Sequence, residues 1–139
     1  MRSRFVILIL PLLLFAGTTR AEPPNPAEAP SISPADLHAQ REAGSGPIVI
    51  DVRTAGEYDT GHIPGALNIP FDEVADRIDG IEAPHGVALY CMVGPRARKG
   101  EAALLESGFE KVFHIEGGLA AWQAAGLPVS NDEPEAEDP

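Results

Sequence analysis

One cysteine, Cys91, and an arginine five positions later, Arg96, are the residues of this chain best suited to nucleophilic chemistry. A thiol attacks well once its thiolate is stabilised, and a guanidinium can hold an oxyanion or brace the loop that carries the thiol. The run Val87-Ala88-Leu89-Tyr90 before the cysteine is short, apolar and strand-like. Cys91-Met92-Val93-Gly94-Pro95 follows as a tight loop, and Arg96 to Leu105 reads as a helix. The sulfur therefore stands where a strand gives way to a helix, facing backbone N–H groups and the positive end of the helix dipole. That setting favours a thiolate. Out of context, a solitary cysteine is more often a small apolar core residue, and one thiol cannot form an internal disulfide.

The elements around it alternate. Ser33-Pro34 opens a helix through Ala43, with Ser33 as N-cap and Pro34 at the first helical position. Ile48 to Val52 is a β-branched run suited to a strand buried on both faces. Thr54-Ala55-Gly56-Glu57 is a capping box. A turn at Gly61 to Gly65, a brief strand at Ala66 to Ile69 and a helix at Asp72 to Ile78 precede the cysteine strand. Val112 to Ile115 gives a last strand, and Gly117-Gly118 leads into a final helix, Leu119 to Ala125. Such alternation implies an α/β fold, a mostly parallel sheet with helices on both faces. Active sites of such sheets lie beyond the carboxyl ends of the strands, where Cys91 is expected.

The ends read differently. Arg2 and Arg4, the apolar run Phe5 to Phe15 and the small residues before Ala21 form a secretory signal, with cleavage expected after Ala21. Residues 22–30 form a Pro/Ala/Glu linker, 31–130 a single domain, and 131–139 an acidic tail, neither flank being apolar enough to fold. Removing Arg2, Arg4 and Arg20 from the ten basic residues leaves seven against 21 acidic ones, a formal net charge of −14. So acidic a surface argues against nucleic acid and anionic membranes as partners, and requires any anion site to be built locally. The mature protein is expected to be a periplasmic or secreted monomer.

Asp51-Val52-Arg53, Glu57-Tyr58, Gly61-His62-Ile63-Pro64-Gly65-Ala66, Asn68-Ile69-Pro70, Cys91 to Arg96, Glu116 to Trp122 and Ala125 to Val129 occur in this order across nearly the whole domain. Together they resemble the rhodanese family. The resemblance implies a sheet of about five strands and a sulfurtransferase that moves a sulfane sulfur through a cysteine persulfide. Carried over, Cys91 is the nucleophile. The N–H groups of Met92, Val93, Gly94, Arg96 and Ala97 are candidates to face the sulfur and its substrate. Arg96 either contacts the donor or braces the loop. Asp51, Arg53, Glu57 and His62 are expected to support the site as a hydrogen-bonded network.

Rhodanese-fold phosphatases place their arginine six positions after the cysteine, in a wider loop, so the five-residue step to Arg96 favours sulfur over phosphate. Tyr90 also stands where those phosphatases usually have histidine. Three departures bear on the donor: Pro95 has no N–H to offer, and Met92 and Val93 are apolar where thiosulfate users often carry polar residues. A persulfide or polysulfide donor is at least as compatible as thiosulfate, with a thiophilic acceptor. No cofactor is implied, and no second histidine or cysteine stands at metal-ligand spacing from His62. His38, His85 and His114 are read as ordinary. The alternative function is a rhodanese-like module that carries sulfur for, or docks onto, an exported partner.

Overall fold

The computed structural model describes residues 28–131. The expected export signal, most of the linker and nearly all of the acidic tail lie outside these residues. The elements run β1 (Ser31–Ile32), α1 (Pro34–Glu42), β2 (Ile48–Asp51), α2 (Ala55–Asp59), β3 (Leu67–Asn68), α3 (Val74–Arg77), a 3₁₀ turn (Ile78–Gly80), β4 (Val87–Tyr90), α4 (Pro95–Glu106), β5 (Val112–Ile115) and α5 (Gly118–Ala124). The five strands form one sheet in the order β1-β5-β4-β2-β3, and every pairing is parallel. The expected fold class stands.

Local signals act where the sequence places them. Ser33 accepts the Asp36 N–H and caps α1, while Thr54 and Glu57 form a complete capping box on α2. The strand β1 was not anticipated, since two residues carry no periodicity. It forms because the Pro30 carbonyl accepts the His114 N–H and the Ile32 carbonyl accepts the Glu116 N–H, both from the β5 segment. Among the described residues, the end of the expected linker already packs against the domain, with Ala29 buried.

Each face of the sheet has its own apolar layer. Val87 and Leu89 of β4 pack with Val74, Ala97, Leu104 and Val112 beneath α3 and α4. Ala88 and Tyr90 point the other way, to Leu37, Tyr58, Ile63, Leu119 and Trp122 beneath α1, α2 and α5. Cys91 continues this alternation and falls on the α4 side. Gly100 lets α4 sit close, because a Cβ there would meet Leu89 Cδ2 at 3.1 Å and Val74 Cγ1 at 3.3 Å. Burial of a side chain such as Leu104 contributes about 1.5–3 kcal/mol.

A polar knot ties the carboxyl ends of β2 and β4 together. Asp51, fully buried, accepts from Arg53 Nε at 3.0 Å, from an Arg53 terminal nitrogen at 2.6 Å and from the Tyr90 hydroxyl at 2.7 Å. Arg53 also donates to the Gly61 carbonyl at 2.8 Å, and the Tyr90 oxygen accepts the Ile63 N–H at 3.0 Å. Burial works against the Arg53 charge, yet its bond to Asp51 holds the guanidinium above its ordinary value. Burial, with the Asp51 charge beside it, pushes the Tyr90 hydroxyl far up, so it stays protonated and donates. Tyr90→Phe is expected to cost about 1–3 kcal/mol in urea unfolding, because the Ile63 N–H loses its acceptor. A loss of only a few tenths would show that the hydroxyl is not holding these loops.

Candidate active site

Cys91 lies directly beyond β4, only 2% exposed, and is the free cysteine of the chain. Its Sγ accepts the Gly94 N–H at 3.0 Å. Gly94 makes this contact by adopting φ +144°, a left-handed region that favours glycine, and this turn swings its N–H back onto the sulfur. Pro95 then starts α4 at once, at its first position. Among the described residues, the N–H groups of Met92, Val93, Arg96 and Ala97 make no hydrogen bond to Sγ. Met92 and Val93 form an exposed apolar rim, 39% and 61% accessible. Ala97 is buried in the α4 layer.

The far side of the loop is gripped by α5. Leu119 N–H donates to the Cys91 carbonyl at 2.9 Å, and Ala120 N–H to the Met92 carbonyl at 3.1 Å. These are otherwise unpaired donors at a helix start, so they turn the loop carbonyls away from the sulfur side. The contact requires Gly118: a Cβ there would meet the Cys91 oxygen at 2.4 Å and the Met92 oxygen at 2.7 Å. In the sequence the glycine pair reads only as a helix lead-in, because the pairing spans distant segments.

Arg96 points across to α2. Its two terminal nitrogens meet the two Glu57 carboxylate oxygens at 2.7 and 2.8 Å, a bidentate pair. Glu57 Oε2 also accepts the Thr54 N–H, so one carboxylate caps α2 and holds the start of α4. The bond to Arg96, then that to the Thr54 N–H, holds the Glu57 carboxyl at about 2. Glu57 in turn raises Arg96, with a further contribution from the Cys91 sulfur.

The four expected supporting residues therefore separate. Glu57 holds Arg96 in the first turn of α4, directly after the loop. Asp51 and Arg53 act through Tyr90 at the strand ends. His62 makes its contacts with α2: its ring stacks on Tyr58 at 3.6 Å between centroids, and its Nδ1 meets the Tyr58 carbonyl at 2.9 Å. Sequence reasoning missed a second group. Glu101 of α4 and His114 of β5, both buried, meet at 2.6 Å behind Gly94. The register gave a clue, because His114 pairs with Leu89 and Val112 and His114 share the α4 face, but it required knowing the strand order.

Two outcomes test this geometry. Gly118→Ala should slow iodoacetamide modification of Cys91 at least several-fold while the far-UV spectrum stays helical, because the loop must shift off the α5 donors. The second concerns Glu57. A depressed folded value means that the Glu57–Arg96 link stabilises fully above pH 4.5 and is lost as pH falls through about 2. By NMR the Glu57 carboxyl should titrate near that lower value, and in Arg96→Ala it should return towards 4.5.

The comparisons with known proteins agree with this architecture. The family model for a rhodanese-like domain matches residues 33–125. A sulfurtransferase of Allochromatium vinosum is 34% identical over 82 residues, covering 59% of this chain and 77% of that protein. The HTH-type transcriptional regulator Rv0324 of Mycobacterium tuberculosis is 36% identical over 109 residues, covering 75% of this chain, although the chain spans only 46% of that protein's length. Among solved structures, the rhodanese-like domain of Alr3790 from Anabaena superposes with a TM-score of 0.66 at 29% identity, covering 79% of this chain and 84% of that one. With its parallel five-stranded sheet and its lone cysteine cradled between β4 and α4, this chain belongs to the rhodanese-like family.

Proposed function

We propose that the chain is a sulfurtransferase that carries a sulfane sulfur as a Cys91 persulfide. The observation that carries this reading is the Cys91 sulfur itself, enclosed at the strand end and accepting the Gly94 N–H at 3.0 Å. In the first half-reaction the thiolate attacks the outer sulfur of a donor. The new S–S bond forms as the donor's own bond to that sulfur breaks, and the electron pair leaves with the donor. In the second, a thiophile attacks the outer sulfur and the Cys91 thiolate departs. No net redox change or cofactor is needed.

Donor chemistry follows from what surrounds the sulfur. Arg96 is already neutralised by Glu57, and the rim of Met92 and Val93 is apolar. A small dianion gains little there, because its desolvation is offset mainly by backbone dipoles. An organic persulfide or polysulfide, with less charge to desolvate, suits the site better than thiosulfate. The leader-like residues 1–21 support an exported protein, so the donor and acceptor would be met outside the cytoplasm.

The exposed Met92 and Val93 also favour a second reading, in which sulfur passes to or from a docked protein rather than to free small thiophiles. Treatment with an organic persulfide should add the mass of one sulfur to Cys91, and cyanide should then remove it as thiocyanate. Cys91→Ser should abolish both the mass gain and all turnover. Retained turnover in that variant would sink the persulfide mechanism. Stable loading without turnover by small thiophiles would favour the carrier reading.

A further inference from the structure

The buried pair Glu101–His114 has no part in the sulfur transfer just described, and packing alone does not account for it. Glu101 is 1% exposed and His114 7%, beside a layer made mainly of Val, Leu, Ile and Ala side chains. A buried ionic pair is a poor source of stability compared with apolar residues of the same shape. Nor does Glu101 need a histidine to neutralise it. Arg98 already meets its Oε2 at 3.2 Å and is itself anchored on the Ala29 carbonyl at 2.9 Å. What the Oε1 contact to His114 Nδ1 does is fix the ring. With Nδ1–H donated to the carboxylate, the opposite edge of the imidazole is committed to one direction.

That direction is the cysteine loop. An ideal Cβ on Gly94 would lie 3.5 Å from both His114 Cε1 and Nε2. Gly94 is also the residue whose N–H contacts the Cys91 sulfur. The order in space is therefore Glu101, His114, Gly94, Cys91, with the ring backing the open side of Gly94. We infer that His114, oriented by Glu101, is a positioning residue for Cys91: its imidazolium places a positive charge behind the Gly94 turn and favours the thiolate. This rests on Cys91 being the nucleophile. The charged group on the pair is Arg98 of α4, which also reaches the Ser31 hydroxyl of β1; the Cys91 thiol stands on the other side of Gly94, and β4 contributes Leu89 as the register neighbour of His114. Arg98 offsets the carboxylate, so the ring's charge is not cancelled at the loop.

The test is the pH profile of Cys91 carbamidomethylation by iodoacetamide in the full chain, for the unaltered protein, His114→Asn and Glu101→Gln. Asparagine keeps an N–H near the position of Nδ1–H and so keeps the Glu101 contact while removing the charge. His114→Asn should slow the reaction about three- to tenfold near pH 6.5 and less than twofold near pH 9.5, where the thiolate needs no help. Glu101→Gln should shift the profile in the same direction. Superimposable profiles, or a uniform drop at every pH, would overturn the inference. Should His114→Asn fail to fold, the unaltered protein still decides. Capping Cys91 should move the NMR titration of the His114 ring to lower pH while leaving His38 and His85 in place, and an unmoved ring would overturn it equally. These readouts follow thiolate charge and not sulfur loading, so a protein that never accepts sulfane sulfur fails the functional reading without touching this one.

Discussion

Everything at the site depends on how the backbone is satisfied where β4 ends. A strand leaving a parallel sheet must dispose of carbonyls and N–H groups that no neighbouring strand takes. Here the carbonyls of Cys91 and Met92 are taken by the first N–H groups of α5. That leaves the opposite side of the loop free to present the Gly94 N–H to the sulfur. The sulfur cradle is thus one half of an arrangement whose other half is the Gly118 approach. Neither works alone.

The same economy appears on the α2 side. One carboxylate, Glu57, closes a helix cap and holds Arg96, so the segment after β2 is tied to the start of α4. Beneath them, Asp51, Arg53 and Tyr90 join the strand ends through bonds that are fully buried. Buried charge of this kind adds little net stability but penalises any arrangement that separates the partners. The effect is geometric: the loops keep one relative position. Tyr90 therefore does more than fill a phosphatase histidine's place, since its hydroxyl links β4 to Asp51 and to the turn at Ile63.

Much of this was legible because it is local. Capping residues, the β-branched run of β2 and the strand–loop–helix around Cys91 act within a few residues of themselves, and the structure keeps each of them. What stayed hidden depends on pairs far apart in sequence. Strand β1 exists only through β5, and the grip on the Cys91 carbonyl comes from residues more than twenty positions later. The contact of His62 with Tyr58 also depends on how the turn folds back, its ring stacking on that of Tyr58. Histidine 114 looked ordinary because its partner, Glu101, sits on a helix whose inward face cannot be matched to a strand until the sheet order is known.

The geometry of Arg96 bears on both of its candidate roles. Each terminal nitrogen already gives one N–H to Glu57, so an anionic donor would have to share the fork or displace the carboxylate. Releasing Arg96 for a substrate would break a bidentate, charge-assisted pair and also loosen the cap of α2. A donor would have to supply at least that much in return. In this arrangement Arg96 is held by Glu57 beside the Cys91 sulfur, and backbone dipoles and an apolar rim complete the surroundings an incoming sulfur species would meet. Under the proposed sulfur transfer, that combination would favour a sulfur carried on a weakly charged group over one carried on a dianion, and the strongly acidic sequence would act in the same direction.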